Sequence, residues 1–144
     1  NVLLFQRKNL KNASISVSTD LDPDLPLVRA VEDQITQAVV SLTINAADAM
    51  EKNGGTLLLR TSHTENHVVL EVSDTGYGIP LDYQEHIFEP FFSTKEAADG
   101  AGLGLAIAYS IINNHGGEID FLSEPGNGTT FLIKLPREEA NLYQ

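Results

Sequence analysis

The sequence predicts an α+β domain built as a two-layer sandwich, with helices packed on one face of a sheet. Segments with strand and helix periodicity follow one another in the order β, α, β, β, irregular segment, α, β, β. Strand pairs that are separated by helices fit this class better than a doubly wound parallel sheet. A chain of 144 residues is long enough to form one such domain with a sizeable core.

The first half of the chain predicts a strand, a long helix and a hairpin. Residues 14–19 alternate apolar and polar side chains, as a half-buried strand does. A helix is predicted over residues 32–52, because apolar side chains recur there at helical spacing and a glycine pair follows. Residues 56–62 and 68–73 alternate again and are expected to pair as an antiparallel hairpin. The apolar stripe that we expect to be buried on the helix comprises Ile35, Val39, Leu42, Ala46 and Ala49.

The second half predicts a short helix, an irregular segment, a long helix and two strands. The short helix is predicted at residues 81–87, and the long segment 88–102 has the character of a functional lid. A helix at 103–115, ended by two glycines, precedes strands at 118–123 and 129–135. The apolar residues of this helix that we expect in the core are Leu103, Leu105, Ala108, Ile111 and Ile112.

Charge and composition limit the classes of function. The net charge of -11 argues against general nucleic-acid binding, which needs a basic surface, but it does not exclude nucleotide binding. The chain has no cysteine, so disulfides, thiolate nucleophiles and zinc–cysteine sites are excluded. The absence of cysteine also suits a reducing compartment. No apolar run approaches the length of a membrane span, and no signal peptide is recognisable.

Two glycine clusters flank the irregular segment and indicate a phosphate-bearing ligand. The first is DTGYGIP at residues 74–80, and the second is GAGLGL at residues 100–105. The second opens onto a predicted helix, where free backbone N–H groups and the positive end of the helix dipole favour an anion. Its spacing is not G-x-G-x-x-G, no strand directly precedes it, and the chain has no P-loop motif.

Four motifs now stand in order, and together they resemble a known family. NAADAM (45–50), DTGYGIP (74–80), FEPFF (88–92) and GAGLGL (100–105) match the N box, first glycine box, F box and second glycine box of sensor histidine kinases. The terminal GNGTTFLIKLP also matches. The resemblance covers residues 14–136. It is to the ATP-binding catalytic domain, in the superfamily shared with gyrase-type ATPases, a heat-shock chaperone and the mismatch-repair ATPases.

The resemblance implies a fold and a reaction. The implied fold is of the Bergerat type, with a mixed sheet of about five strands covered on one face by about three helices, and an ATP lid. The implied reaction transfers the γ-phosphate of MgATP to a histidine on a separate dimerisation and phosphoacceptor domain, with ATP and Mg²⁺ as cofactors. Residues 13–137 would form the catalytic domain. Residues 1–12 would be a linker or the end of a preceding helical domain, and 138–144 a C-terminal tail.

The resemblance also implies a setting. The isolated domain is expected to be a cytoplasmic monomer, and the full-length protein a homodimer with a response regulator downstream. Whether the full-length protein is anchored in a membrane is left open.

The same resemblance implies roles for individual residues. Asp74 would accept from the exocyclic amine of adenine, and a carboxylate only accepts, so it favours adenine over guanine. Gly76 and Gly78 would let the backbone pass against the base, and Asn45 would offer a hard oxygen to Mg²⁺. The whole set implied for ATP binding is Asn45, Asp48, Asp74, Gly76, Gly78, Ile79, Lys95, Gly100, Ala101, Gly102, Leu103, Gly104, Leu105 and Thr129.

Two positions depart from the family pattern. Ser41 stands where many members have a first asparagine and the hydrolysing members have a glutamate that activates water. Serine lacks that basicity near neutral pH, so transfer to a protein acceptor is favoured over hydrolysis. Asp48 stands where some kinases carry a phosphate-binding lysine; Lys52 or Lys95 could replace it, or the chain resembles the nitrogen-regulation branch, which lacks that lysine. Ser41 and Lys95 are the candidate catalytic residues.

None of the histidines has the sequence context of a phosphoacceptor. His63 and His67 flank the predicted hairpin turn, His86 precedes the F box, and His115 ends a helix. We therefore expect the phosphoacceptor histidine outside this chain.

Several alternatives remain open. They are an ATPase of the same superfamily, a serine kinase like the anti-sigma-factor kinases, and a nucleotide-binding module without catalysis. Two carboxylate pairs could indicate sites of other classes of protein. Glu71 with Asp74 could be a glycosidase pair and Glu118 with Asp120 a metal pair, but neither has supporting residues.

Overall fold

One layer of the fold is a mixed five-stranded sheet. The computed structural model describes residues 14–89 and 104–137. Within them the strands are β1 (Ile15–Asp20), β2 (Gly55–His63), β3 (His67–Asp74), β4 (Glu118–Glu124) and β5 (Gly128–Pro136). Their order in the sheet is β1-β2-β3-β5-β4. The β1–β2 pair is parallel and every other pair is antiparallel. The central strand is therefore β3, and its last residue, Asp74, is flanked by strands on both sides.

The other layer contains two helices that pack on each other and on one face of the sheet. They are α1 (Glu32–Ala49) and α2 (Gly104–Asn114). A single 3-10 turn at Leu81–Tyr83 stands where a short helix over 81–87 was predicted. The described residues thus contain two α-helices and this turn, where about three helices were expected. The predicted α+β sandwich with a mixed five-stranded sheet is confirmed.

The helix α1 ends at Ala49, three residues before the predicted end. Met50 leaves the helical conformation with φ -110° and ψ 7°, and its side chain is 1% exposed. Gly54 then takes a φ of 68° and donates its N–H to the Met50 carbonyl at 2.7 Å. The C-cap of the helix is therefore Met50, and the glycine pair closes the turn that follows.

The core lies between the two layers. On α1 the residues that face it most fully are Ala38, Leu42 and Ala46, whereas Val39 and Ala49 of the predicted stripe are only half-buried. On α2 the expected Ala108, Ile111 and Ile112 are buried, and Leu105 packs against the same cluster. The largest fully buried side chains of the core include Phe131, Leu42, Met50, Leu57, Ile112 and Ile133. No helix in the described part of the chain is long and apolar enough to span a bilayer.

Candidate functional site

Asp74 is a buried carboxylate at the end of the central strand. Its backbone pairs with Leu57 of β2 and Thr129 of β5, and its side chain is on the helix-covered face, 5% exposed. The Oδ1 atom accepts from the Gly76 N–H at 2.8 Å and from the Thr129 N–H at 3.3 Å. Within the described residues both hydrogen bonds go to Oδ1, so Oδ2 keeps its lone pairs for a donor from a ligand.

Burial raises the pKa of Asp74 above its ordinary value, because removal from water disfavours the charged form. The N–H groups of Gly76 and Thr129 act in the opposite direction and stabilise the carboxylate. A carboxylate that is desolvated yet hydrogen-bonded on one oxygen is poised to accept from a further donor. Perturbed carboxyl groups of this kind are typical of binding sites.

The first glycine cluster passes between the end of α1 and the β4–β5 turn. A Cβ added to Gly76 would lie 2.5 Å from the Ala49 carbonyl oxygen, and Tyr77 donates its N–H to that same oxygen at 3.2 Å. Gly78 has a φ of 74°, and a Cβ there would lie 2.4 Å from the Glu124 carbonyl oxygen. Within this structure, close packing against the protein itself already requires both glycines, apart from any approach to a base.

The turn that joins β4 to β5 holds the other side of this loop. Gly126 donates its N–H to the Tyr77 carbonyl at 2.7 Å, and Ile79 donates its N–H to Ser123 Oγ at 2.8 Å. Ser123 Oγ also lies 2.8 Å from Thr129 Oγ1. The sequence motifs predict a binding role for Thr129 but give none for Ser123. The only available signal was its place just before the matched GNGTTFLIKLP segment.

One side of α1 connects this loop to the start of α2. Ser41, Asn45 and Asp48 recur on α1 at spacings that place them on one side of a helix, and all three are half-buried. Ala49 contacts the glycine loop, whereas a Cβ added to Gly104, the first residue of α2, would lie 3.8 Å from Ser41 Cβ. Asn45 lies one helical turn, about 6 Å, from both Ser41 and Ala49. It therefore stands between the glycine loop and the helix start.

The F box begins in an aromatic cluster next to α2. Ile87 is buried, and the Phe88 ring stacks on Tyr109 of α2 with centroids 5.0 Å apart. The same ring makes edge contacts with Phe121 at 6.0 Å and Phe131 at 6.3 Å. This cluster holds Phe88 against α2 and the sheet.

The structure therefore brings together most, but not all, of the predicted site residues. Ser41, Asn45, Asp48, Asp74, Gly76, Gly78, Ile79, Gly104, Leu105 and Thr129 lie within the described residues, around α1, the glycine loop and the start of α2. Five predicted positions lie outside the described residues: Lys95, Gly100, Ala101, Gly102 and Leu103.

Within the described residues, neither alternative carboxylate pair has the supporting residues that a catalytic or metal site needs. Glu71 lies three residues before Asp74 on β3, so the two side chains point to opposite faces of the sheet. Glu71 approaches the guanidinium of Arg60 at 3.6 Å on the uncovered face. Glu118 and Asp120 are exposed on the edge strand β4.

Three of the four histidines have partners that account for their positions. His115 Nε2 accepts from the Val31 N–H at 3.0 Å and its Nδ1 lies 2.8 Å from the Ile111 carbonyl, so this side chain links the end of α2 to the start of α1. His63 contacts Asp22, and hydrogen bonds from the Asp24 N–H and from His63 lower the pKa of that carboxyl. His86 contacts Glu89, which raises the pKa of the exposed imidazole.

The chain is similar in sequence to one protein family and to known sensor kinases. A family described as histidine kinase-, DNA gyrase B- and HSP90-like ATPases matches residues 30–139. The chain is 45% identical over 143 residues to the sensor kinase CckA of Brucella abortus, covering 89% of this chain and 15% of that protein. It is 43% identical over 133 residues to the sensory histidine kinase/phosphatase NtrB of Proteus hauseri, covering 85% and 37%. The chain thus spans less than two thirds of the length of these relatives.

Solved structures show the same fold. The nucleotide-free catalytic domain of histidine kinase ThkA superposes with a TM-score of 0.82 at 29% identity, covering 94% of this chain and 89% of that one. Full-length ShkA in complex with AMPPNP gives a TM-score of 0.82 at 31% identity, covering 94% of this chain and 28% of that one.

Proposed function

This chain belongs to the family of histidine kinase-, DNA gyrase B- and HSP90-like ATPases, and on that basis we propose that it is the ATP-binding catalytic domain of a two-component sensor histidine kinase. It holds MgATP and presents the γ-phosphate to a histidine on a separate helical domain. The observation that best supports this proposal is the convergence along α1. Ala49 touches the glycine loop that follows Asp74, Ser41 flanks the start of α2, and Asn45 lies between them.

The adenine base is held beside Asp74, at the end of α1 that carries Ala49. Oδ2 of Asp74 accepts from the exocyclic amine of adenine, while Oδ1 stays anchored by two backbone N–H groups. Thr129 presents its hydroxyl beside this carboxylate, since the two residues pair across β3 and β5. Gly76, Gly78 and Ile79 shape the backbone next to the base.

The phosphates are held beside Ser41 of α1, where α2 begins. The free N–H groups of the first turn of α2, which begins at Gly104 and Leu105, favour an anion. The amide oxygen of Asn45 is a suitable hard ligand for Mg²⁺, which takes its remaining ligands from phosphate and water and neutralises the phosphate charge. Lys95 and residues 100–103 complete this end as predictions from their sequence motifs.

Transfer to a protein acceptor suits these residues better than hydrolysis. Phosphoryl transfer depends on positioning and charge neutralisation more than on covalent chemistry by the protein. Ser41 lies beside Gly104 and, by the family resemblance, stands where the hydrolysing members carry a water-activating glutamate; a serine hydroxyl is too weak a base for that role. The related proteins that are named sensor kinases support the same choice.

The wider setting follows from the same proposal. In this proposal, residues 13–137 form the catalytic domain. The phosphoacceptor histidine lies on a helical dimerisation domain of the full-length protein, which is a homodimer and passes the phosphoryl group to a response regulator. The domain itself is monomeric and works in the cytoplasm.

The experiment that tests the proposal is phosphotransfer with radiolabelled ATP. The chain is incubated with Mg²⁺, γ-labelled ATP and the helical phosphoacceptor fragment of the full-length protein. We expect label on the fragment that is lost in acid and retained in alkali, as for a phosphohistidine. Acid-stable label would indicate a serine kinase, and steady phosphate release without transfer would indicate an ATPase; either result would contradict the proposal.

A further inference from the structure

Ser123 of β4 touches three parts of the base pocket at once. Its Oγ lies 2.8 Å from the Ile79 backbone nitrogen, 2.8 Å from Thr129 Oγ1 and 3.3 Å from the Gly128 carbonyl oxygen. Ser123, Thr129 and Asp74 form one row across β4, β5 and β3, so their side chains lie on the same face of the sheet. A single hydroxyl thus joins the glycine loop to the strand residue next to the buried carboxylate.

The number of hydrogens restricts the direction of these bonds. A serine hydroxyl has one hydrogen and two lone pairs, and the Ile79 N–H can only donate, so it uses one lone pair. The Ser123 hydrogen then goes either to Thr129 Oγ1 at 2.8 Å or to the Gly128 carbonyl at 3.3 Å. The shorter contact is the better hydrogen bond. When Ser123 donates to Thr129, the hydrogen of Thr129 is free to point to a ligand.

We propose that Ser123 is a positioning residue of the base pocket, which holds the glycine loop against β4 and directs the Thr129 hydroxyl hydrogen toward the purine. This inference rests on the proposed function. It places an acceptor, Asp74 Oδ2, beside a donor, the Thr129 hydroxyl. That order complements adenine, whose amine donor adjoins a ring-nitrogen acceptor, and opposes guanine, whose corresponding edge carries an acceptor beside an N–H donor.

The chain provides a matched control for this network. Ser73 Oγ lies 2.8 Å from Thr130 Oγ1, which is also a serine–threonine pair across neighbouring strands, but on the face of the sheet away from the helices. Ser73→Ala therefore removes an equivalent hydroxyl pair without touching the pocket. Ser123→Thr keeps a hydroxyl at the position under test, and Ser123→Ala removes it.

The test compares two nucleotides on each variant of the full 144-residue chain. Calorimetry gives the dissociation constants of non-hydrolysable Mg²⁺ complexes of ATP and GTP analogues. We expect Ser123→Ala to weaken binding of the ATP analogue roughly tenfold, which corresponds to the loss of one or two hydrogen bonds. The affinity for the GTP analogue should change less, so the preference for the ATP analogue falls. Ser123→Thr and Ser73→Ala should keep the wild-type preference.

If Ser123 had a purely structural role, Ser123→Ala would weaken the binding of both nucleotides equally and leave the preference for ATP unchanged. That result would overturn the inference about Ser123 but not the proposed function. Wild-type chain that binds neither nucleotide would overturn the proposed function as well, so the two failures are distinguishable. Circular dichroism confirms that each variant is folded. If Ser123→Ala is unfolded, Ser123→Cys takes its place, because a thiol fills similar volume with much weaker hydrogen bonding. The ratio of the two dissociation constants then tests the inference in the same way.

Discussion

At the scale of single residues, Asp74 combines a cost to folding with a role in binding. The side chain is almost fully removed from water, and its pKa is raised by that burial. Two backbone N–H groups offset part of the cost by bonding to Oδ1. The remaining lone pairs on Oδ2 are what a donor from the nucleotide would satisfy. A site of this kind is expected to be more stable with its ligand than without it.

Replacement of Asp74 by asparagine should change how stability depends on pH. An acid whose pKa is raised on folding holds its proton more tightly in the native state, so its stabilising contribution is full at low pH. That contribution falls as the pH rises through the folded pKa. Asparagine does not titrate. We therefore expect the unfolding free energy of Asp74→Asn, relative to the wild type, to be higher at pH 7 than at pH 3, measured by urea denaturation without nucleotide. A difference that falls as the pH rises would contradict this account of the site.

Two glycines offer a matched test of close packing in the loop region. Gly78 and Gly126 both have positive φ, at 74° and 87°, but a Cβ on Gly78 would meet the Glu124 carbonyl at 2.4 Å, whereas one on Gly126 would have nothing within 4 Å. We expect Gly126→Ala to cost about 1–2 kcal/mol of unfolding free energy from backbone strain alone. Gly78→Ala should cost more, because the β4–β5 turn must also move. Equal losses in denaturant unfolding would show that the two backbones are not in close contact.

Some residues of the site could be foreseen from the sequence, and others could not. The first glycine box predicts a binding role for Asp74, and the burial of its side chain follows from its place at the end of a central strand. Ser123 was missed because a serine in an alternating strand carries no local sign of its partners. Its contacts with Ile79 and Thr129 arise only once β4, β5 and the glycine loop have come together.

At the scale of elements, α1 carries core residues and predicted site residues on adjoining sides. Ala38, Leu42 and Ala46 lie in the core, and Ser41, Asn45 and Asp48 lie on the neighbouring, half-buried side. Helical periodicity predicted that α1 is amphipathic, and Leu42 and Ala46 were placed correctly. It also predicted Val39 and Ala49 in the buried stripe, where they are only half-buried, and it missed Ala38. Because α2 as well as the sheet packs against α1, the buried side is broader than a single stripe.

A pair of substitutions on α1 tests which side is packed. Leu42 is fully buried, whereas Ile44, two residues later, is 48% exposed. Leu42→Ala should lower the unfolding free energy by about 2–5 kcal/mol, from lost burial and the cavity left behind. Ile44→Ala should cost less than about 1 kcal/mol, since much of that side chain is in water in the folded state. Comparable losses for the two variants in chemical denaturation would mean that α1 is rotated from the orientation described.

The segment after the first glycine box contains a helix that is shorter than predicted and of the 3-10 type. Residues 81–87 have helical composition, but the chain makes successive tight turns in which Tyr83 bonds to Pro80 and His86 bonds to Tyr83. Gln84 uses its side-chain amide to bond the Ile79 carbonyl, which ties the segment to the loop. Burial of Ile87 and contact of Phe88 with Tyr109 then direct the chain toward α2. Tertiary contacts, which local composition does not contain, decide the conformation here.

At the scale of the whole molecule, the order of the strands creates the site. Sequence patterns predicted five strands and their approximate bounds, but not that β1 pairs in parallel with β2 or that β5 inserts between β3 and β4. That insertion places Thr129 beside Asp74 and brings the β4–β5 turn onto the glycine loop. Order and register depend on contacts between distant segments. The resemblance to a family implied the fold class correctly, and solved histidine kinase catalytic domains share this fold.

The central claim is that the chain binds MgATP through a pocket whose base end depends on Asp74. Calorimetric titration with a non-hydrolysable ATP analogue, with and without Mg²⁺, tests it most directly on three proteins: wild type, Asp74→Asn and Asp82→Asn. Asp82 is an exposed carboxylate in the neighbouring 3-10 turn, so its replacement makes the same change in charge outside the pocket. We expect Mg²⁺-dependent binding by the wild type and by Asp82→Asn, and a loss of at least about tenfold in affinity for Asp74→Asn. Equal affinity for all three proteins, or no binding by the wild type, would contradict the account.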